Sequence, residues 1–190
     1  MKLIVGLGND GAPYEGTRHN AGWDAVRELA AAHRAAWTAG RGRAALDSSW
    51  RAGGGTVRAV LPLTLMNASG QALAGVPRRA VAPHEILIVC DDVNLPLGQL
   101  RLRPSGSDGG HHGLASCLAA LGTDAVPRLR IGVGVPRLPR DLTGFVLSTF
   151  DAEERPLIAS AMARAVEACD LWVERGIEAV MNRVNAKHTP

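Results

Sequence analysis

The stretch IVGLGNDG, residues 4–11, sets an apolar run directly before a glycine-rich turn. Its glycines Gly6, Gly8 and Gly11 match the G-x-G-x-x-G pattern of dinucleotide-binding proteins. In those proteins the loop leads straight into a helix, and an acidic residue closes the following strand. Here a polar segment over 12–20 delays the helical pattern, and no acidic residue stands in the expected interval. We therefore interpret the glycines as a turn after a first strand, not as a nucleotide site.

Apolar runs and helical periodicities alternate along the rest of the chain. Residues 37–55 are polar and glycine-rich, which predicts an extended excursion or a hairpin. Strands are predicted over 2–7, 56–62, 85–90, 99–103 and 129–135, and helices over 22–34, 67–79, 106–121 and from Asp151 onward, with Asp151 as cap. This alternation predicts one α/β domain over residues 1–190, a three-layer sandwich with a mostly parallel mixed sheet between helices.

The bulk composition is that of an ordinary globular protein, with 46% hydrophobic and 21% charged residues. No apolar stretch is long enough to span a bilayer and no signal peptide is evident, so a cytoplasmic location is expected. Three cysteines without a C-x-x-C pair argue against a disulfide framework or a zinc ribbon. Nearly all basic residues are arginine, which suits phosphate recognition but also fits a biased genome composition. Both interpretations stay open.

Polar residues gather where predicted strands end. In a parallel sheet these carboxyl ends share one edge, so the first three of the four clusters below are expected to converge. The first three clusters follow the first strand, the second strand and the strand over 85–90, and a fourth precedes a helix. Their members are Asn9, Tyr14, Arg18, His19 and Asn20; Met66 and Asn67; Asp91 and Asp92; and His111 and His112.

An imidazole among carboxylates and carboxamides suggests hydrolysis by an activated water. His19 would be the general base, because an imidazole exchanges protons near neutral pH. Asp91 would hold its tautomer, and Asn9 and Asn67 would donate hydrogen bonds to a developing oxyanion. The plainer alternative is that His19 only fastens a loop.

Two other chemistries compete for the same residues. Cys90 could be a nucleophile with His19 as its base, although a cysteine at the end of an apolar strand is usually inert packing. His111 and His112 could join Asp91 and Asp92 around a metal, but adjacent histidines at a helix start point apart. We therefore expect no metal and no cofactor.

Arginines with a period of two predict a basic face on neighbouring strands. Arg101 and Arg103 alternate on one strand and Arg128 and Arg130 on another, so each pair lies on one face of its strand. Such a face is either a phosphate-tracking patch or a solvated surface. The glycine-rich entry over 106–113 could add an anion site at a helix start, with Ser107 or Asp108 as the cap, although Asp108 would compete for the same donors.

Eight stretches together resemble the bacterial peptidyl-tRNA hydrolases, and they cover nearly the whole chain in the family's order. They are KLIVGLGN, TRHNAG, LMNASG, DDVNLPLG, RLRPSGSDGGHHGL, RLRIGVG, GFVL and MNRVN, which begin at residues 2, 17, 65, 91, 101, 128, 144 and 181. The resemblance implies an α/β fold with a twisted mixed sheet. It also implies a monomeric, metal-independent enzyme that cleaves the ester between a peptide and the 3′ end of tRNA.

The family pattern assigns roles to individual residues of this chain. It implies that His19 is the base, that Asp91 orients it, and that Asn9 and Asn67 position ester and water. A mobile lid is implied over 137–147. Substrate contacts are implied for Tyr14, Met66 and His111, and tRNA contacts for Arg103 and Arg130. From their positions near these residues, Asn20 and His112 are further candidates for substrate binding, and Arg101 and Arg140 for tRNA binding.

The chain departs from the family pattern at two positions. His112 stands where the family has asparagine, and Asp10 stands where a proline follows the first asparagine. Histidine keeps one donor or acceptor but is bulkier and can become charged. Two alternatives therefore remain: a transferase that passes the acyl group of acyl-tRNA to a small nucleophile, and a non-catalytic RNA-binding protein with the same fold.

Overall fold

The N-terminal apolar run forms the central strand of a seven-stranded sheet in the computed structural model, which describes residues 1–40, 44–74 and 81–185. The strands are β1 (Lys2–Gly6), β2 (Thr38–Ala39), β3 (Ala45–Ala52), β4 (Gly55–Pro62), β5 (Ile86–Pro96), β6 (Leu100–Arg103) and β7 (Arg128–Gly134). Their spatial order is β2-β3-β4-β1-β5-β7-β6.

The four inner strands are parallel and the outer ones antiparallel. β1 pairs in parallel with β4 and β5, and β5 pairs in parallel with β7. β2, β3 and β6 join in antiparallel fashion. Inner parallel strands are buried on both faces, which explains the unbroken apolar runs of β1 and of the first half of β5. The prediction of a mostly parallel mixed sheet is confirmed.

Helices cover both faces of this sheet. They are α1 (Ala21–Ala32), α2 (His112–Leu121), α3 (Leu142–Val146), α4 (Arg155–Arg175) and α5 (Ile177–Val184). On one face Ile4 of β1 packs in a core with Leu29 of α1 and Trp172 of α4. On the other, Leu3 of β1 packs in a core with Leu114 of α2. Alternate residues of β1 thus serve two cores, and the three-layer architecture is confirmed.

The first glycines act differently from the predicted turn. A Cβ at Gly6 would lie 2.7 Å from the Gly22 carbonyl oxygen, and one at Gly8 would lie 2.7 Å from the Cβ of Trp23. Both therefore let α1 pack directly against the end of β1. Only Gly11, with φ of 109°, has a backbone conformation that favours glycine.

Three element boundaries differ from prediction. β5 continues through Asp91 to Pro96, because β7 supplies hydrogen-bond partners beyond the apolar part. α2 begins only at His112. α4 begins at Arg155 with Glu154, not Asp151, as its N-cap.

Two predicted segments extend beyond the described residues. The helix predicted over 67–79 is a 3₁₀ segment over Met66–Leu73, and its remaining part lies largely outside the described residues. The excursion over 37–55 forms β2 and a β3–β4 hairpin, apart from 41–43, which also lie outside them. Within the described chain, none of the helices has the length and apolar character needed to cross a membrane.

Candidate active site

A cleft of about 670 Å³ opens at the carboxyl-end edge of the parallel strands. The predicted clusters converge there, as the shared strand direction requires. Residues that line the cleft include Asn9, Tyr14, His19, Met66, Asn67, Asp91, Asp92, His111, His112 and Arg130. Asp91 reaches the cleft from within β5. The pairing of β1 with β5 ends at Val89, so the following residues of β5 have no neighbouring strand on that side within the described chain.

His19 and Asp91 form a hydrogen-bonded pair at the floor of the cleft. His19 lies on a 3₁₀ turn, Arg18–Asn20, that leads directly into α1. Its Nδ1 lies 2.9 Å from Oδ1 and 3.1 Å from Oδ2 of Asp91. Asp91 is buried, whereas the His19 ring is partly exposed. A carboxylate next to Nδ1 holds the proton there, so Nε2 is the ring atom available to the cleft.

A second histidine shares the same carboxylate oxygen. His111 Nε2 lies 2.9 Å from Asp91 Oδ1, and the two imidazole rings are 4.9 Å apart. The other ring nitrogen, Nδ1, accepts the backbone N–H of Leu114 at 3.2 Å. A nitrogen that accepts carries no proton, so Nε2 is the ring atom of His111 that donates to Asp91.

The environment of Asp91 keeps it ionised. Burial by itself would raise the pKa of this carboxyl, but His111 and then His19 outweigh that effect and hold its pKa well below the usual range. Asp91 is therefore a permanent negative charge against which a protonated His19 would be stabilised.

His111 also replaces the predicted helix cap. It is the N-cap of α2 through its Nδ1, whereas the Asp108 carboxylate accepts the N–H of Gly110 at 2.7 Å. The cap predicted at Ser107 or Asp108 is therefore wrong. The anion site predicted at this helix entry is not supported, because protein acceptors already occupy the backbone N–H groups of Gly110, His111 and Leu114.

Asn9 presents its amide nitrogen to the cleft. Its Oδ1 accepts the backbone N–H of Met66 at 2.6 Å, which leaves Nδ2 as the available donor. Asn20 braces this arrangement: its Oδ1 accepts the N–H of Asn9 at 2.8 Å, and its Nδ2 donates to the carbonyl of Asn9 at 3.0 Å. Asn20 thus lies behind the cleft wall, not among the lining residues.

The other implied substrate residues line the cleft at different depths. Met66 is buried and Tyr14 half-buried, whereas Asn67 and His112 are exposed. Asn67 follows Met66 at the start of the 3₁₀ segment, which packs directly against α2. His112 is the first residue of α2, directly after the N-cap.

The predicted basic face exists, but its members differ in depth. Arg101 pairs with Arg130, and Arg103 with Arg128, in the β6–β7 register, which places all four on one face. Arg101 and Arg103 are exposed. Arg128 is fully buried and donates to the carbonyls of Gly106 at 2.6 Å and Ser107 at 3.1 Å in the glycine-rich turn, and to the carbonyl of Asp124, after α2, at 3.1 Å.

Arg130 and Arg140 occupy intermediate and outer positions. Arg130 lines the cleft, 3.3 Å from Asp92 Oδ2 and 3.2 Å from the carbonyl of Ser107. Arg140 is exposed in the loop that leads to α3.

The competing chemistries fit the geometry poorly. Cys90 is buried, and burial raises the pKa of its thiol, which opposes a nucleophilic role. Among the described residues, the atoms that could hold a metal belong to His19, Asp91 and His111, so the group contains Asp91 and His111 of the predicted set but neither His112 nor Asp92. Each histidine lies 2.9 Å from the Asp91 carboxylate, the length of an ordinary N–H···O hydrogen bond. These hydrogen bonds explain the proximity of the three side chains without a metal ion.

Sequence reasoning gave no individual role to several residues of this site, although they belong to the implied lid or to the first polar cluster. Leu142, Val146 and Leu147, on and just after α3, form an apolar side of the cleft. Arg18 is buried beneath α3, and its burial has no signature in the local sequence. The position of both groups depends on contacts with residues more than a hundred positions apart.

Together the sheet, the buried carboxylate and the imidazole bound to it define an α/β protein of the hydrolase class, with the Asn9 amide nitrogen available as a donor in the same cleft. The chain belongs to the peptidyl-tRNA hydrolase family, whose model matches residues 3–190.

Individual relatives in this family match over most of their length. The chain is 44% identical to the peptidyl-tRNA hydrolase of Symbiobacterium thermophilum, with 97% of this chain and 98% of that protein covered. It is 43% identical to that of Roseiflexus castenholzii, with 98% and 87% covered. The crystal structure of the Acinetobacter baumannii peptidyl-tRNA hydrolase matches with a TM-score of 0.90 at 35% identity, covering 98% of this chain and 95% of that one.

Proposed function

We infer that this protein is a peptidyl-tRNA hydrolase, which cleaves the ester between a peptide, or an N-blocked aminoacyl group, and the 3′ end of tRNA. The single observation that supports the mechanism is the His19–Asp91 pair: Asp91 binds Nδ1 at 2.9 Å and leaves Nε2 to face the cleft. Membership of the peptidyl-tRNA hydrolase family supports peptidyl-tRNA as the substrate. The acyl-transfer and non-catalytic alternatives have no observation in their favour.

In the proposed mechanism His19 activates a water for attack on the ester carbonyl. Nε2 takes a proton from the water as its oxygen bonds to the carbonyl carbon, and Asp91 stabilises the resulting imidazolium. Asn9 Nδ2 and the Asn67 side chain donate to the oxygen on which negative charge develops. When the tetrahedral intermediate collapses, the ribose oxygen leaves and Nε2 returns the proton to it. These steps use only side chains of the chain, with no cofactor.

The surroundings of the cleft support two kinds of substrate contact. The apolar side formed by Leu142, Val146 and Leu147, with Met66 opposite, is suited to side chains of the peptide. Tyr14, His111 and His112 border the same space. Outside the cleft, the basic residues Arg101, Arg103, Arg130 and Arg140 are proposed to bind tRNA phosphates.

The proposal extends to the domain organisation, the oligomeric state and the cellular location of the protein. We propose a single domain over 1–190 whose segment 137–147, which contains α3, moves as a lid over the cleft. We further propose that the protein acts as a monomer in the cytoplasm, where its tRNA substrate is produced.

The decisive experiment replaces the proposed base. His19→Ala should lower kcat for N-acetyl-aminoacyl-tRNA by about 10²–10⁴-fold, the usual contribution of a positioned base, with unchanged tRNA affinity. His33→Ala is the matched control, because His33 also binds an aspartate, Asp170 at 2.7 Å, at the far end of α1. Undiminished turnover by His19→Ala would exclude His19 as the base.

The same assay separates the alternatives. Mass analysis of the products with small amines present should show only free acid, whereas an amide product would indicate a transferase. Salt-sensitive tRNA binding without any ester cleavage would indicate a non-catalytic RNA-binding protein.

A further inference from the structure

Arg18, the residue before His19, is buried under the segment that follows α3. Only 3% of it is exposed. Its Nη2 lies 2.5 Å from Glu154 Oε2, its Nη1 3.4 Å from the Val133 carbonyl oxygen, and its Nε 3.4 Å from Ser148 Oγ. A buried guanidinium needs such partners, because an unpaired charge in this position would be strongly destabilising.

Two aromatic rings enclose the same guanidinium. The Phe145 ring centre lies 4.5 Å from its Cζ and the Phe150 ring centre 4.8 Å from it. Phe145 belongs to α3, and Phe150 precedes α4. The planar guanidinium stacks on aromatic faces in a way that the ammonium of lysine does not reproduce.

The backbone reinforces this contact. The N–H of Arg18 donates to the carbonyl of Ser148 at 3.0 Å, and Thr17 forms an isolated antiparallel bridge with Thr149. The stretch from Phe145 to Phe150 is therefore fastened to the turn that carries His19. That turn is the main neighbour of α3 among the helices and strands of the described chain.

The position of α3 determines one side of the cleft. Leu142, Val146 and Leu147 line the cleft, although Leu142 and Leu147 remain exposed to solvent. A helix of five residues has little stability of its own, so its position depends on its attachments. His19, in contrast, is held separately by Asp91.

We propose that Arg18 is a positioning residue that anchors the C-terminal end of the proposed lid segment, so that α3 forms the apolar side of the acyl-group site. Its loss should weaken binding of substrates with large apolar acyl groups and leave the proton transfer at His19 intact. This proposal rests on the proposed function.

The test compares two substrates, N-acetyl-leucyl-tRNA and N-acetyl-glycyl-tRNA. Arg18→Lys keeps the charge but loses the planar stacking, so KM for the leucyl substrate should rise about tenfold, since small displacements of a positioning group are costly. KM for the glycyl substrate should change less than about threefold, and kcat should be unchanged for both substrates. A residue with a purely structural role would lower the folded fraction and affect both substrates equally.

Two further variants keep the proposal testable if Arg18→Lys folds poorly. Phe145→Leu removes one stacking ring from the surface of α3 and should give the same selective rise in KM. Arg58→Lys is the matched control, because Arg58 also pairs with a carboxylate, that of Asp47 at 2.9 Å, on the hairpin away from the cleft. It should change neither constant.

Combining the variants tests whether they act through one contact. Arg18→Lys in the Phe145→Leu background should raise the leucyl KM by less than the product of the two single effects. An unchanged leucyl KM in Arg18→Lys and Phe145→Leu, a loss in kcat alone, or fully multiplicative effects would overturn the proposal. Failure of the parent protein to cleave either substrate would instead refute the proposed function.

Discussion

Asp91→Asn isolates the charge of the buried carboxylate. Asparagine keeps the shape and an oxygen able to accept from His19 and His111, both of which bind Oδ1 at 2.9 Å. It lacks the negative charge that stabilises the imidazolium formed at His19. Two unit charges about 4 Å apart attract by about 4 kcal/mol at an effective dielectric constant near 20.

The expected effect follows from that attraction. The neutral amide oxygen retains part of the hydrogen bonding, so about 2–4 kcal/mol of stabilisation of the protonated base should be lost. At about 1.4 kcal/mol per factor of ten, kcat should fall roughly 30- to 1,000-fold. KM should change less than about twofold, because the lost interaction develops only as the proton moves to His19.

Single-turnover and steady-state cleavage of N-acetyl-aminoacyl-tRNA measure these constants directly. Asp170→Asn is the matched control: Asp170 also binds a histidine, His33, but at the opposite end of the twelve-residue helix α1, about 18 Å along its axis. Its kcat should equal that of the parent. A fall in kcat below about fivefold in folded Asp91→Asn, or a loss that lies mainly in KM, would refute the assignment of Asp91 as the stabilising charge.

Two further predictions concern stability and tRNA binding. Burial, partly offset by Arg27, raises the pKa of Asp24 from 3.8 to about 6. The fold therefore loses stability as pH rises from about 4 to about 6 and Asp24 ionises, and the whole loss is present above pH 6. Because Asp24 is partly solvated, Asp24→Asn should gain about 1–3 kcal/mol in free energy of unfolding at pH 7 and nothing near pH 4 in urea titrations; equal stabilities at pH 7 would contradict this. Replacing both Arg101 and Arg103 by glutamine should weaken tRNA binding and lower the slope of log K against log salt by about 1–2, with kcat intact; an unchanged slope would remove them from the phosphate patch.

The sheet could be predicted because each inner strand is apolar along its length. The EILIVC run predicted β5, and its length was underestimated because polar residues such as Asp91 and Asn94 resemble a loop when read alone. They remain in the strand because β7 supplies hydrogen-bond partners, which local sequence does not reveal. The 3₁₀ segment was predicted as a helix because both conformations bury residues at similar spacing.

The floor of the site could be predicted, because strand direction alone brings Asn9, Asn67 and Asp91 to one edge of the sheet. The arrangement behind them could not. Neither the shared Oδ1 of Asp91 nor the bracing of Asn9 by Asn20 follows from residue type, since histidine and asparagine each offer several hydrogen-bonding modes. Only the neighbours in space select among those modes.

The arginines of β6 and β7 also show that sequence pattern alone does not determine the environment of a side chain. Alternation correctly placed Arg128 and Arg130 on one face, yet Arg128 is buried while Arg101 and Arg103 are exposed. Alternation determines the face of a strand but not the depth of a side chain, which depends on what covers that face. Here Nη1 of Arg128 donates to two carbonyls of the glycine-rich turn, and Nε and Nη2 donate to carbonyls of the loop between α2 and β7. Its charge therefore holds the turn that presents His111, and the phosphate patch must be built from the arginines that remain uncovered.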